Sequence, residues 1–234
     1  MTTTSDLTSL LRNSHITSDE DILRAANTTL KTSKNDVTAL HARIVALLKL
    51  DRFDDALRAF EESGDALKER AGLEYAYALY KAGELQKAEE VARKHGSGDG
   101  ERARGASHVL AQTTYRLEKF DEAKQLYEQL SRPSTEVQNE ESDLRINGAA
   151  VDAQLEWKGL SYLVGKRRPT RGDLESFERT YNEACKSIAR GEMGQAEVLL
   201  GRAKGKVLCP LRRAVRTISL LIKDRSMCCF RGSV

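Results

Sequence analysis

Three basic residues recur in this chain at nearly even spacing. Lys49, Lys81 and Arg116 are separated by 32 and 35 residues. The ammonium and guanidinium groups of such side chains bind carboxylates through charge-assisted hydrogen bonds. If the helices that carry them stack in register, the three side chains form a basic ladder that suits an acidic protein segment. The alternative is that each cation only complements the dipole at the last turn of its own helix.

Other side chains precede each cation at constant offsets and supply aromatic faces and hydrogen-bonding groups. A surface of this kind suits an extended peptide with acidic and apolar side chains. We therefore predict these partner-binding residues: His41, Val45, Lys49, Tyr77, Tyr80, Lys81, His108, Gln112, Tyr115, Arg116 and Tyr181. Tyr77 and Tyr80 lie within one helical turn, so either of the two rings could equally serve packing.

No set of residues predicts catalysis or metal binding. The chain lacks a G-x-x-x-x-G-K-[ST] phosphate loop, a G-x-S-x-G nucleophile motif and an H-E-x-x-H zinc motif. His41 and His108 have no set of cysteines or carboxylates that converges with them. The four cysteines lack C-x-x-C spacing, and we expect Cys185 to be buried within a helix. We expect no enzyme, no cofactor and no metal site.

The register of the cations depends on a helix-turn-helix corner that occurs four times. In each corner an apolar residue follows the turn, and an alanine three positions later lets two helices pack closely. The corners begin at Asp51, Gly83, Glu118 and Gly191, and their alanines are Ala56, Ala88, Ala123 and Ala196. A period of roughly 34 residues is typical of tetratricopeptide arrays. We predict an all-α solenoid, a right-handed superhelix of antiparallel helix pairs.

The array should cover residues 1–204 in about six repeats, of which the first and the fifth are degenerate. Capping residues are expected at Thr17–Glu20, at Asn35 or Asp36, and at Asp173. The third repeat should pair a helix over 68–81 with one over 85–95. A single long helix is predicted over 142–160, with Trp157 in the core.

The chain has 234 residues and a net charge of +3, and residues 205–234 form a basic tail. Pro210 could begin a partial capping helix there. A basic tail attracts RNA nonspecifically, so an alternative function is binding of RNA or the ribosome through this tail and a basic linker. The linker residues are Lys166, Arg167, Arg168 and Arg171. No secretory signal or apolar membrane-spanning run is visible, which favours a cytoplasmic protein.

Three sequence islands resemble one family beyond the generic repeat. They are Asp36–His41, Tyr115–Glu122, and Thr180–Cys185 ahead of the corner at Gly191. Together they are similar to the N-terminal repeats of the seventy-two-kilodalton subunit of the eukaryotic signal recognition particle, in the same order over residues 1–204. Residues 205–234 do not resemble that family.

This resemblance implies a partner and a process. The family's repeats bind the C-terminal segment of the sixty-eight-kilodalton subunit, which the concave groove of this chain could hold. The heterodimer sits on the particle RNA in cotranslational targeting to the endoplasmic reticulum, so contacts of this region with RNA and the ribosome would be indirect. A third alternative, a cochaperone that captures C-terminal carboxylates, normally needs Lys and Asn where His41 and Val45 stand.

Overall fold

The computed structural model describes residues 18–132, 140–165, 170 and 172–206, and every regular element within them is a helix. The α-helices are α1 (Asp19–Thr32), α2 (Val37–Lys49), α3 (Phe53–Ser63), α4 (Asp65–Arg70), α5 (Gly72–Ala82), α6 (Leu85–His95), α7 (Glu101–Arg116), α8 (Phe120–Leu130), α9 (Glu141–Trp157), α10 (Phe177–Ala189) and α11 (Met193–Lys206). Short 3-10 helices cover Ser161–Leu163 and Gly172–Leu174.

The contacts divide the chain into two compact units, Met1–Leu117 and Glu118–Val234. In the first unit α1 packs on α2, α2 on α3, α3 on α5, α5 on α6, and α6 on α7. The helices that open successive repeats also touch, because α5 contacts both α2 and α7. In the second unit α8, α9, α10 and α11 pack in sequence. This confirms the predicted all-α fold of consecutive helix pairs.

The corners share one backbone conformation. The first residue of each lies in the left-handed region, with φ of 55° at Asp51, 91° at Gly83, 60° at Glu118 and 80° at Gly191. The alanine that follows each corner is buried, as predicted. A left-handed residue ends one helix, and at the corners of Asp51, Gly83 and Gly191, each of which lies within one unit, the small alanine allows the second helix to lie close to the first.

A further corner follows α9 at Gly159, where φ is 76°. Its backbone bonds from Gly159 N to Glu156 O (3.0 Å) and from Leu160 N to Leu155 O (2.8 Å) match those at Gly83. The sequence pattern did not reveal this corner, because a 3-10 helix follows it in place of an α-helix with a small alanine.

The predicted helix starts were right at two positions and wrong at a third. Ser18 and Asp36 cap α1 and α2, and the Asp36 carboxylate accepts bonds from two backbone N–H groups at 2.9 and 3.0 Å. The N-cap of α10 is Ser176, which accepts from Arg179 N at 3.2 Å, and the predicted position 173 falls in the preceding 3-10 helix.

Two other predictions need correction. The expected helix over 68–81 is two helices, α4 and α5, interrupted at Ala71. Gly72, at the start of α5, lies so close to the His95 ring at the end of α6 that a Cβ atom there would overlap the ring. Trp157 is not a core residue: it ends α9 and is 40% exposed, since the chain turns away immediately after it.

The left-handed corner generates a prediction about stability. A residue with a Cβ atom is disfavoured by about 1–2 kcal/mol in this conformation, so Glu118→Gly should raise the free energy of unfolding by roughly 0.5–1 kcal/mol. The ion pair of Glu118 with Lys158 (2.8 Å) is exposed and its loss should cost little. Urea denaturation would measure the change.

Two matched variants make this test specific. Glu118→Ala removes the same carboxylate but keeps the Cβ atom, and it should give no such gain. Gly83→Ala introduces the strain at an equivalent corner and should lower the free energy of unfolding by about 1 kcal/mol. A gain in Glu118→Ala equal to that in Glu118→Gly would contradict the explanation.

Candidate functional site

The three predicted cations lie at the carboxyl ends of three helices that open successive repeats. Lys49 ends α2, Lys81 is in the last turn of α5, and Arg116 ends α7. Helix α5 contacts both of the others. We call the predicted partner-binding residues on α2, α5 and α7 the first-helix face.

Lys81 is seated on aromatic rings. Its ammonium nitrogen lies 5.2 Å from the ring centroid of Phe53 and 5.9 Å from that of Tyr77. The two rings meet edge to face with centroids 6.3 Å apart. Burial raises the pKa of the Tyr77 hydroxyl, with smaller contributions from nearby Asp51 and Tyr80, so this group is neutral near pH 7. The rings therefore hold the cation in place through cation–π attraction.

Arg116 is held by a second tyrosine, on the neighbouring helix. Its guanidinium carbon lies 5.0 Å from the ring centroid of Tyr80, and its Nη1 atom donates to the Tyr80 carbonyl at 2.8 Å. Lys49 is held less firmly, since its Nζ atom is 3.5 Å from Asp19 Oδ1 and its side chain is exposed. The ladder is therefore a set of cations positioned by the protein itself, two of them against aromatic rings.

A carboxylate that the sequence analysis did not single out links the three helices. Glu74 on α5 lies 3.1 Å from His41 Nε2 on α2 through one oxygen, and its other oxygen accepts from Arg102 Nη2 on α7 at 2.7 Å. The Glu74 side chain is only 14% exposed. In the sequence Glu74 only follows Leu73 in a predicted helix. Its ion pairs with His41 and Arg102 become visible only when the three helices are packed together.

The environment of Glu74 favours its ionised form. Burial raises the pKa of this carboxyl, but hydrogen bonds from its own backbone N–H, from His41 and from Arg102 outweigh burial and leave the pKa below its ordinary value. His41 is thus an internal partner of Glu74, and its ring is still partly exposed on the first-helix face.

The remaining predicted residues divide between the two units. Val45, His108, Gln112 and Tyr115 are half-buried on α2 and α7 of the first unit. Tyr181 lies in the second unit, is 6% exposed, and stacks on Phe177 with ring centroids 5.8 Å apart. Its ring belongs to a core cluster with Ala153 and Cys185, so it is not available on a surface. Burial of Cys185 agrees with the sequence analysis.

The predicted basic linker residues Lys166, Arg167, Arg168 and Arg171 lie outside the described residues. Among the residues that the structure does describe, no group of His, Cys, Asp and Glu side chains is arranged to hold a metal ion. In that same part of the chain no helix is both long enough and apolar enough to cross a bilayer.

Comparisons with known proteins agree on one family. Residues 15–154 match the model of the family SRP_TPR_like, described as a putative TPR-like repeat. The chain is 30% identical over 184 residues to human signal recognition particle subunit SRP72, a match covering 78% of this chain and 26% of that protein. It is 26% identical over 181 residues to the subunit of Caenorhabditis elegans, covering 77% and 27%. The chain thus spans about a quarter of the length of these relatives.

The lowered pKa of Glu74 predicts a pH-dependent contribution to stability. A carboxyl whose pKa is depressed by folding stabilises the fold above its unfolded value, near 4.5, and that stabilisation is lost as the pH falls through the folded value. Glu74→Gln should therefore lower the free energy of unfolding by about 1–2 kcal/mol near pH 7. The difference from the wild type should shrink below pH 4.5.

Chemical denaturation across this pH range would measure the effect. Asp65→Asn is the control, because the Asp65 side chain is 99% exposed and its ion pair with Lys68 is long, at 3.4 Å, and therefore weak. This control should leave the pH dependence unchanged. A Glu74→Gln difference that stays constant between neutral and acidic pH would contradict the proposed role of the carboxylate.

Proposed function

Since the chain belongs to the tetratricopeptide-like repeat family of signal recognition particle subunit SRP72, we propose that it is a protein-binding scaffold of that particle. Its first-helix face holds an extended segment of the sixty-eight-kilodalton partner subunit. The chain acts in the cytoplasm in cotranslational targeting and associates with the endoplasmic reticulum through the particle. Its contacts with the particle RNA and the ribosome are indirect. This membership agrees with the expectation that the chain is not an enzyme.

The observation that supports the proposal best is the seating of Lys81 and Arg116. Both cations lie against tyrosine rings of α5, Lys81 from the same helix and Arg116 from α7, at 5.0–5.9 Å from the ring centroids. A cation fixed in this way loses little conformational freedom when a carboxylate binds it, which favours affinity. The tyrosine rings beside the cations also offer apolar surface. Apolar side chains of the bound segment, lying between its acidic ones, can pack on these rings.

The chemistry of the face also defines the ligand. A guanidinium can bind a carboxylate with two parallel hydrogen bonds, whereas an ammonium acts as a point charge. Arg116 should therefore set the position of one acidic side chain, and Lys81 should contribute mainly charge. Glu74 lies on the same helix as Lys81 but is already bound to His41 and Arg102, so its repulsion of an acidic ligand is reduced.

Charge reversal at both positions tests the proposal. The variant Lys81→Glu with Arg116→Glu should weaken binding of a peptide from the C-terminal region of the sixty-eight-kilodalton subunit by at least about tenfold, since each tenfold corresponds to 1.4 kcal/mol. Titration calorimetry would measure the dissociation constant. The control is Lys87→Glu on α6, an exposed cation of the same repeat whose partner is Glu84 at 3.1 Å.

The Lys87→Glu control should bind like the wild type. Because Arg116 also bonds the Tyr80 carbonyl, a thermal melt must show that the double variant remains folded. The milder pair Lys81→Gln with Arg116→Gln removes charge without adding repulsion and should give an intermediate loss. Unchanged affinity in folded double variants would refute the assignment of the first-helix face.

A further inference from the structure

A second groove lies elsewhere on the first unit, between α1 on one side and α3 and α4 on the other, with α2 as its floor. Its larger part, of about 620 Å³, has an apolar lining that includes Leu30, Val37, Leu40 and Leu67. Its smaller part, of about 320 Å³, lies toward the other end of α2, beside Leu23 and Leu47. We call this the α1–α3 groove; none of its lining residues belongs to the first-helix face.

Cations outnumber carboxylates along this groove. Lys34, Arg43 and Arg70 line the larger part, and Arg52 and Arg58 line the smaller part. Among the described residues, the carboxylates that line it are Asp55 and Glu62. Asp55 is shared by Arg52, at 2.6 Å, and by Arg58, so this single carboxylate neutralises only part of their charge. The groove is therefore electropositive and attracts an acidic ligand.

The larger part holds the cations best placed to bind such a ligand. The side chains of Lys34 and Arg70 are exposed, and neither forms an ion pair with any residue in the described part of the chain. Val37 is 41% exposed, which is unusual for a large apolar residue at the start of a packed helix. Unpaired cations around exposed apolar surface form the pattern of a protein-binding surface.

A weak ion pair separates the two parts of the groove. Arg43 Nη1 lies 3.4 Å from Glu62 Oε2, and both residues line both parts. The Glu62 side chain is 64% exposed, so the pair contributes little to stability. A carboxylate of a ligand can therefore replace Glu62 as the partner of Arg43 at little cost.

The lining distinguishes a protein ligand from a nucleic acid. The groove contains aliphatic and polar side chains, and no aromatic ring is among the described residues that line it. Single-stranded RNA is commonly bound by stacking of bases on aromatic side chains. An aliphatic floor instead suits leucine-like side chains. From Val37 to Leu47 the floor spans about 15 Å at 1.5 Å per helical residue, which about five residues of extended peptide would cover.

From these observations we infer that the α1–α3 groove binds a short extended protein segment in which acidic residues flank apolar ones. The apolar side chains lie over Val37 and Leu40, and carboxylates bind Arg43 and Arg70. This second surface is independent of the first-helix face, so one repeat region can hold two protein segments at once.

The inference can be tested with a defined probe on the full chain. The probe is a fluorescein-labelled peptide of sequence Glu-Asp-Leu-Glu-Leu-Asp-Glu, and fluorescence anisotropy measures its binding. The variant Arg43→Glu with Arg70→Glu should weaken binding at least about tenfold. A peptide with serine in place of both leucines should also bind at least about tenfold more weakly, because it loses burial of two apolar side chains.

Matched variants separate this site from the first-helix face. Because the first-helix face could also bind an acidic peptide, the test is repeated in the Lys81→Glu, Arg116→Glu background. In that background the probe should still bind, and Arg43→Glu with Arg70→Glu should still weaken its binding at least about tenfold. Lys87→Glu should not change binding. The milder pair Arg43→Gln with Arg70→Gln keeps the test valid if charge reversal impairs folding. The effect of the Arg43 and Arg70 variants on probe binding does not depend on whether the peptide of the sixty-eight-kilodalton subunit binds the first-helix face.

Several results would overturn the inference. One is that the Arg43 and Arg70 variants bind the probe as tightly as the wild type does. Another is that the wild type binds the serine peptide as tightly as the leucine probe. A third is that the wild type does not bind the probe below about 1 mM peptide. Loss of probe binding in the Lys81 and Arg116 variant would assign the probe to the first-helix face instead. Tighter binding of a short oligouridine, lost in the Arg43 and Arg70 variant, would make the groove a nucleic-acid site.

Discussion

The close approach of two antiparallel helices at the corners within each unit is the constraint on which the rest of this structure depends. It needs a residue that adopts a left-handed backbone and a small residue where the helices touch. Gly83 and Gly191 meet the first requirement at little cost, whereas Asp51 and Glu118 meet it with strain. Ala56, Ala88 and Ala196 meet the second. Because the corners at Asp51 and Gly83 are alike, the helices of the first unit are held at repeated positions, and their side chains meet in register.

The first unit uses this register to position charge. With α2, α5 and α7 adjacent, Glu74 can accept from His41 and Arg102, and Arg116 can donate to the carbonyl of Tyr80. These contacts satisfy buried or half-buried polar groups inside the protein. The same contacts orient the cations that we propose for ligand binding, so the stability of the face and its recognition chemistry share residues.

The second unit differs from the first in that charged side chains are buried inside it. Glu156 on α9 is almost fully buried and pairs with Arg190, and it also accepts from Ser161 at 2.7 Å. Burial raises the pKa of the Glu156 carboxyl, but these hydrogen bonds outweigh burial and keep the pKa below its ordinary value. Lys186 and Glu183 form another buried pair at 2.7 Å. Such pairs add specificity of packing only if both partners are present, since a lone buried charge is costly.

The sequence by itself determined the repeat, because the spacing of small alanines and corner residues follows directly from the period of the helix pair. It also determined the register of Lys49, Lys81 and Arg116 and the resemblance that the family comparison confirmed, and it limited the first two caps to Thr17–Glu20 and to Asn35 or Asp36, of which the structure shows Ser18 and Asp36. These features depend on neighbours within one or two turns, which local patterns record. Tertiary structure alone decided which charges meet, as with Glu74 and Glu156, and which apolar residues are covered, as with Tyr181 and Trp157. It also decided the break at Ala71 and the groove between α1 and α3, because contacts between residues tens of positions apart depend on how whole helices pack.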